Sequence, residues 1–169
     1  NDAPTLAGNV SGSVTEDAVA TTATGTLTST DVDTGDTATY SIADKSGTYG
    51  SITIDGTSGA WTYTLDNSLA STDAIAADAT AADTFTATVT DAKGATAEQT
   101  ITVTLTGAND APTLAGDVSG SVTEDAVATT ATGTLTSSDI DTGDTAAYSI
   151  ADTSGTYGSI TIDGTSGAW

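Results

Sequence analysis

The sequence of 169 residues contains no cysteine, no histidine and no methionine, and its only basic residues are Lys45 and Lys93. The lack of cysteine excludes disulfide bonds and thiol chemistry. Two basic residues stand against 23 acidic ones, with a formal charge of −21. A nucleic acid or an anionic membrane surface is therefore excluded as a partner, because binding to either depends on basic side chains. No apolar run approaches the roughly 18 residues of a membrane span, so we expect no direct membrane insertion.

The same absences remove most side chains that carry out catalysis. Without histidine or cysteine, acid–base or nucleophilic chemistry would rest on Ser, Thr, Asp or Lys. Carboxylate pairs can hydrolyse glycosides, but the acidic clusters here lie at predicted loop ends, with no aromatic-lined cleft predicted beside them. We predict that the chain is not an enzyme.

A repeat of 108 residues organises the chain. Residues 1–61 recur as residues 109–169 with only five differences, which are Asn9/Asp117, Thr30/Ser138, Val32/Ile140, Thr39/Ala147 and Lys45/Thr153. A period of this length is the size of a globular domain rather than of a solenoid coil. We therefore predict one complete domain at residues 1–108 and the first part of a second, near-identical and truncated domain at residues 109–169. Copies this similar are typical of units whose role is to provide length.

Apolar residues alternate with threonine in several short segments, which predicts strands. The predicted inward positions are Tyr40, Ile42, Ile52, Ile54, Trp61, Tyr63, Leu65, Phe85, Ala87, Val89, Ile101, Val103 and Leu105. Two further strands are expected at 11–15 and 24–29, and hairpin loops at 55–59 and 91–94. The Ala-rich segment 67–82 is expected to hold a helical turn. About seven strands in roughly 100 residues predict an all-β, immunoglobulin-like antiparallel β-sandwich.

Acidic residues cluster at three places in each repeat. The first cluster is Asp31, Asp33 and Asp36, repeated as Asp139, Asp141 and Asp144. Alternate carboxylates in a tight loop offer the hard oxygen ligands that calcium requires, although the spacing is not that of an EF-hand. An Asx-type turn with solvated carboxylates is the alternative interpretation.

The other two clusters lie near the ends of the repeat. Glu16 and Asp17 form the second, and it recurs at Glu124 and Asp125. The third is the Asn109-Asp110 pair, followed by Pro112 and also present at the start as Asn1-Asp2 before Pro4. A proline here fixes the direction of the chain, so a short stiff hinge without metal is the alternative to a ligand role.

Several segments together resemble known repeats. Residues 85–94 and 101–112 are similar to the last two strands and linker of a cadherin repeat, and 31–42 is similar to its aspartate loop. The combination of VTED, DVDTGDTATYSI, YGSITIDGTSGAWTYTLDN and ITVTLTGANDAPT resembles the VCBS-type, cadherin-like repeats of giant bacterial RTX adhesins over the whole chain. This resemblance implies type I secretion, a location outside the cell at the bacterial surface, and a role in attachment or biofilm formation.

The resemblance also implies calcium ligands. At the junction of the two repeats these would be Glu16, Asp66, Asn109, Asp110, Asp139, Asp141 and Asp144, and at the start of the first repeat Asp2, Asp31, Asp33, Asp36 and Asp91. One departure concerns the cadherin Asp-Arg-Glu element, which is replaced by Leu65-Asp66-Asn67 and so lacks the glutamate. Taken together, these residues predict a non-catalytic extender repeat made rigid by Ca²⁺, with neighbouring repeats of the same chain as its partners.

Two alternatives stay open at this point. One is a ligand-binding adhesin domain for a sugar or ice surface, which the Thr-x-Thr runs at 24–28 and 102–106 would serve. The other is a segment of a self-assembling extracellular filament with homotypic contacts. Residues 109–169 lack the later strands of the repeat and would expose Ile160, Ile162 and open strand edges. A second chain could complete that half-sandwich, although a shortened chain accounts for it more simply.

Overall fold

The computed structural model describes residues 1–169, and these divide into two compact units, Asn1–Asn109 and Asp110–Trp169. Unit 1 contains eight strands and one short helix: β1 (Thr5–Gly8), β2 (Ser11–Thr15), β3 (Thr22–Thr30), β4 (Thr39–Ile42), β5 (Gly50–Ile54), β6 (Ala60–Leu65), α1 (Ala70–Asp73), β7 (Thr80–Thr90) and β8 (Thr96–Thr106). The strands form two four-stranded sheets, ordered β1-β3-β6-β5 and β2-β8-β7-β4. The predicted β-sandwich is confirmed.

The core of unit 1 lies between the two sheets and is supplied by the alternating apolar positions. Trp61 and Tyr63 of β6 and Ile52 of β5 face Phe85 of β7 and Val103 of β8, and all are buried. The opposite faces of the same strands are covered with threonine, as the period of two requires. On the eight strands of unit 1 the only acidic residues are Asp83, which is buried, and Glu98. Negative charge is therefore concentrated in the loops.

One pairing departs from the antiparallel prediction, because β2 pairs in parallel with β8, from Ser11↔Thr102 to Thr15↔Thr106. The preceding strand β1, which the sequence did not predict, belongs to the other sheet and pairs with β3. The chain crosses between sheets at Gly8, whose φ of +108° is open to glycine and strained for other residues. A Cβ at Gly8 would also collide with the backbone carbonyl of Thr26.

A buried carboxylate holds the 46–49 loop against β7. Asp83 is 3% exposed and accepts hydrogen bonds from the backbone N–H groups of Thr48 (2.8 Å) and Tyr49 (3.1 Å) and from the Tyr63 hydroxyl (2.8 Å). Burial, with the hydrogen bond to Asp83, raises the pKa of Tyr63 above its ordinary value. Gly47 lies directly over the carboxylate, and a Cβ at this position would collide with Asp83 Oδ2.

The two ends of unit 1 carry different loops. Asp31 follows β3 and Asp91 follows β7, and we call this the Asp31 end. Glu16 follows β2 and Gly107 follows β8 at the opposite end, which we call the Glu16 end. The predicted helical turn is α1, a single turn, and the structure has no helix of the length and hydropathy needed to span a membrane.

Unit 2 forms far fewer strands than unit 1, although the two sequences differ at only five of 61 positions. Its strands are β9 (Thr113–Gly116) and β10 (Leu135–Ser138), which pair antiparallel like β1 and β3. Residues 119–123 and 147–150, the counterparts of β2 and β4, form no strand. In unit 1 these two strands pair only with β8 and β7, which have no counterparts among residues 109–169. Strand formation here depends on the partner strand rather than on local propensity.

Candidate metal centre

Three carboxylates come together at the Asp31 end of unit 1. Asp31 follows β3, Asp36 precedes β4, and Asp91 begins the turn between β7 and β8. Each offers an oxygen, and these oxygens lie within 4.8 Å of one another. Two oxygens bound to one calcium ion are separated by at most about 5 Å, because each lies about 2.3–2.6 Å from the ion. The spacing of the triad is compatible with one shared cation.

Local turns orient these carboxylates. Asp31 Oδ1 accepts a hydrogen bond from the backbone N–H of Asp33 at 2.8 Å, so the Asx turn of the alternative interpretation is present. Asp91 Oδ1 accepts from the backbone N–H groups of Lys93 (2.8 Å) and Ala95 (2.9 Å). In each case the turn uses one oxygen of the carboxylate and fixes the side chain in place. The other oxygen of Asp31 has no hydrogen-bond partner, whereas that of Asp91 accepts from Asn1 Nδ2 at 3.0 Å.

Two of the remaining oxygens are buried without a hydrogen-bond partner. These are Oδ2 of Asp31 and Oδ2 of Asp36. A buried carboxylate oxygen that accepts no hydrogen bond is costly, and adjacent like charges add to that cost. A divalent cation would satisfy both oxygens at once. The residues present therefore fit a metal ion better than they fit a solvated loop.

Asp91 is the member of the triad with the most hydrogen bonds. Its burial opposes ionisation, but the hydrogen bonds donated by Asn1 Nδ2 (3.0 Å) and by the backbone of Ala95 and Lys93 outweigh burial and hold the pKa of the Asp91 carboxyl below its ordinary value. Asp91 is consequently charged at neutral pH. With only two lysines in the chain, protein cations can neutralise few of the 23 acidic groups.

The start of the chain contacts the same end of unit 1. Asn1 Nδ2 donates to Asp91, and the backbone N–H of Asp2 donates to Asp33 Oδ2 at 2.8 Å. Asp33 is half-buried and the Asp2 side chain is exposed, and neither belongs to the triad. The structure thus places all five predicted residues of this end in one loop cluster and brings three of them to a common point.

Unit 2 contains a second triad, formed by Asp139, Asp141 and Asp144, with oxygens within the same 4.8 Å. Asp141 is 4% exposed, its Oδ2 accepts from the backbone N–H of Asp110 at 2.8 Å, and its Oδ1 is buried without a hydrogen-bond partner. The third aspartate of this triad differs from that of the unit 1 triad, because residues 109–169 contain no counterpart of Asp91. The equivalent of Asp33 takes the third place instead.

The remaining predicted residues lie elsewhere. Glu16, at the Glu16 end, is 3% exposed, and its Oε2 accepts a hydrogen bond from the backbone N–H of Ala108 at 3.0 Å. Asp66 follows β6 and is exposed. Its carboxylate accepts hydrogen bonds from the Ser68 hydroxyl (2.6 Å) and the Ser68 backbone N–H (3.0 Å), and these bonds lower the pKa of the Asp66 carboxyl. Asn109 is exposed and Asp110 half-buried. Glu16, Asp66 and Asp110 are outside both triads.

Asn67 is a residue that the sequence did not single out. Its Oδ1 is buried without a hydrogen-bond partner, like Oδ2 of Asp31 and Oδ2 of Asp36 in the triad. Asn67 comes two residues after β6, whose end pairs with the start of β3, so it lies at the Glu16 end of unit 1. The only sequence signal was its position beside Asp66, in the element that departs from the cadherin pattern.

Comparison with known proteins places the chain in a family. Residues 1–107 match the model of the bacterial cadherin-like domain. Solved structures of mouse cadherin-23 EC22-24 (20% identity, TM-score 0.57) and human CDH23 EC21-23 (19% identity, TM-score 0.55) share its fold. Each alignment covers 99% of this chain and 53% or 54% of the other, so the chain spans about half the length of these structures. No curated protein sequence matches it. The chain belongs to the bacterial cadherin-like domain family.

Proposed function

We propose that this chain is a non-catalytic, calcium-binding extender segment of a secreted bacterial surface adhesin, of the VCBS type found in RTX adhesins. One observation carries the proposal. Asp31 and Asp36 hold buried carboxylate oxygens without hydrogen-bond partners inside a triad of acids, and a similar triad recurs in the next repeat. Cadherin-like domains are typically structural and adhesive modules and generally bind calcium, which agrees with that geometry.

Calcium suits the triads better than other metals. All candidate ligands are hard oxygens, and the chain has no histidine or cysteine to attract softer ions. Calcium tolerates the irregular oxygen sets that loops provide, whereas magnesium requires a tight octahedron and gives up its water reluctantly. Asp31, Asp36 and Asp91 would hold the ion in unit 1, and Asp139, Asp141 and Asp144 would hold one in unit 2. A bound ion would neutralise the carboxylates and fix the loops that carry them.

Thermal unfolding in calcium and in chelator tests this binding. An ion that binds only the folded state adds about 2.7 kcal/mol at a hundredfold excess over its Kd. For a domain of this size that raises Tm by roughly 10 °C or more. Magnesium at the same concentration should have a much smaller effect. A Tm indifferent to both calcium and chelator contradicts the proposal.

A pair of substitutions separates a metal site from a merely acidic loop. Asp31→Asn with Asp36→Asn removes two like charges, so Tm without calcium should rise, while the calcium-dependent increase in unit 1 should disappear. Asp44→Asn is the matched control, because Asp44 is an exposed loop acid outside the triad. If the double variant and the control respond equally to calcium in calorimetry, the triad is not the site.

The extender role has its own support and its own test. The repeats are almost identical, and the outward faces of the strands offer threonine. The prediction that Glu16, Asn109 and Asp110 share calcium with the Asp139 triad stays a prediction. Small-angle scattering of a tandem of several repeats should show a rigid, extended particle in calcium and a flexible one in chelator. Asp139→Ala with Asp141→Ala should remove that difference, and an unchanged profile would refute the role of these residues.

A further inference from the structure

One tripeptide of unit 1 carries a sequence pattern that the candidate metal centre does not use. Asn9-Val10-Ser11 has the form Asn-x-Ser/Thr, with a residue other than proline in the middle. This is the acceptor pattern of N-linked glycosylation, which attaches a sugar to the asparagine side chain. The other three asparagines have neither serine nor threonine two residues later, and these are Asn1, Asn67 and Asn109. The pattern therefore occurs once in the chain.

The tripeptide lies on the surface, where the chain passes from one sheet to the other. Asn9 follows β1 and Ser11 begins β2, and both side chains are exposed. β1 and β2 are edge strands of their two sheets, so no further strand of unit 1 pairs beyond them on this side. An acceptor asparagine must be reached by an enzyme, and an exposed surface turn is the structural context that the pattern requires.

The backbone of this turn is held in place, whereas the side-chain nitrogen of Asn9 is not. The Asn9 backbone N–H donates to the carbonyl of Thr26 at 2.9 Å, and the Asn9 carbonyl accepts from the Trp61 indole N–H at 2.8 Å. Asn9 Oδ1 accepts from the backbone N–H of Ser11 at 3.1 Å, which forms an Asx turn. Neither Asn9 Nδ2 nor the Ser11 hydroxyl takes part in a hydrogen bond within the protein. The two groups that define the acceptor pattern are therefore both available.

The second repeat shows that the fold does not require asparagine at this position. Asp117 is the equivalent residue, and its carbonyl accepts the same indole hydrogen bond, from Trp169 at 2.6 Å. An Asx turn forms with aspartate as well as with asparagine. What asparagine adds at position 9 is thus the amide nitrogen, which is the atom that N-linked transfer modifies.

We propose that Asn9 is an acceptor site for an N-linked sugar and that Asp117, its equivalent in the next repeat, is not. The donor would be a sugar activated by a diphosphate leaving group and presented by a glycosyltransferase. Asn9 Nδ2 attacks C1 of the sugar, the C1–N bond forms as the C1–O bond to the diphosphate breaks, and the nitrogen loses one proton to a base of the transferase. The product keeps Oδ1, so the Asx turn with Ser11 is compatible with the modification.

Peptide mapping of the protein isolated from the cells that produce it tests this assignment. Trypsin cleaves the sequence after Lys45 and Lys93, which separates Asn9 from Asn67 and both from Asp117. Mass spectrometry with fragmentation should find a sugar on Asn9 and none on Asn67 or in the segment around Asp117. A single hexose would identify a nucleotide-activated donor, and a preassembled oligosaccharide would identify a lipid-linked one.

Three variants expressed in the same cells separate this transfer from other modification. Asn9→Asp copies the residue of the second repeat, so it should keep the Tm of the unmodified chain and lose the sugar completely. Ser11→Ala should also lose the sugar, whereas Ser11→Thr, which keeps the hydroxyl, should retain it.

Several outcomes would overturn the proposal. These are an unmodified Asn9 in the parent protein, a sugar that persists in Asn9→Asp because it is attached to threonine or serine, and equal modification of Ser11→Ala and Ser11→Thr. The effect of calcium on Tm is measured separately, so a failure here would leave the proposed function standing.

Discussion

Removing the buried carboxylate of Asp83 should destabilise unit 1 more than removing any exposed acid. In Asp83→Ala three donors lose their acceptor at once, the N–H groups of Thr48 and Tyr49 and the hydroxyl of Tyr63. A buried donor left without a partner costs about 1–3 kcal/mol. Since removing the charge also relieves its own desolvation, we expect a net loss of about 3–5 kcal/mol in the free energy of unfolding.

Urea unfolding measures this loss. In a Trp169→Phe background Trp61 alone reports on unit 1, because the chain has only two tryptophans. With an m value of about 1–3 kcal/mol/M, the midpoint should fall by roughly 1–5 M. Tyr63→Phe removes one of the three hydrogen bonds and should cost about 1–1.5 kcal/mol.

The double variant of Asp83 and Tyr63 tests whether the two side chains act together. Its loss should be smaller than the sum of the single losses by about 1 kcal/mol, because the shared hydrogen bond is removed only once. Glu98→Ala is the control, since Glu98 is an exposed acid on β8. If Asp83→Ala and Glu98→Ala shift the midpoint equally, Asp83 does not hold the 46–49 loop and our account of it is wrong.

Further predictions concern the packing and the turns. Gly47→Ala should destabilise unit 1, because a Cβ there would collide with the Asp83 carboxylate, and urea unfolding of this variant beside the parent chain measures the loss. Trp61→Ala should cost about 3–5 kcal/mol in the same assay, because the ring is 1% exposed and packs on Gly25. Asp55 accepts hydrogen bonds from the Ser58 backbone and hydroxyl and from the Thr57 backbone, and these lower its pKa below the ordinary 3.8. Its contribution to stability is therefore present above pH 3.8 and lost as the pH falls through the lower folded-state value. Asp55→Asn should flatten the acid limb of a stability–pH curve; an unchanged limb would show that this turn does not contribute.

The strands with clear alternation could be predicted from the sequence, and their inward residues are confirmed. Trp61, Tyr63 and Leu65 alternate with threonine, and the period of two assigns them to one face whatever the topology. β1 was not predicted, because four residues of mixed polarity carry no periodic signal. The parallel pairing of β2 with β8 was not predicted either, since parallel order is a property of two strands far apart in the chain.

The candidate metal site, like the fold, could be predicted only where its residues are close together in the sequence. Asp31 and Asp36 could be predicted as neighbours from one loop, because local spacing places them together. Asp91 belongs to a different hairpin, and only the resemblance to cadherin repeats predicted that it lies at the same end of the domain as Asp31. The role of Asp83 was missed, because one aspartate among 23 acidic residues gives no sign that it is buried. Residues 11–15 and 119–123 show most clearly that local sequence alone does not determine a strand. Their sequences are identical, yet only residues 11–15 form a strand.

The parallel pairing of β2 and β8 determines how the repeat responds to tension. The chain enters unit 1 at the Asp31 end and leaves after β8 at the Glu16 end. A force that pulls the two termini apart therefore draws β2 and β8 past each other along their common axis. The five register pairs from Ser11↔Thr102 to Thr15↔Thr106 are then loaded in shear and must break together, whereas a hairpin pulled from its open end unzips one pair at a time. Unit 1 consequently places its shear-loaded strand pair between its second and its last strand, in the line of the load.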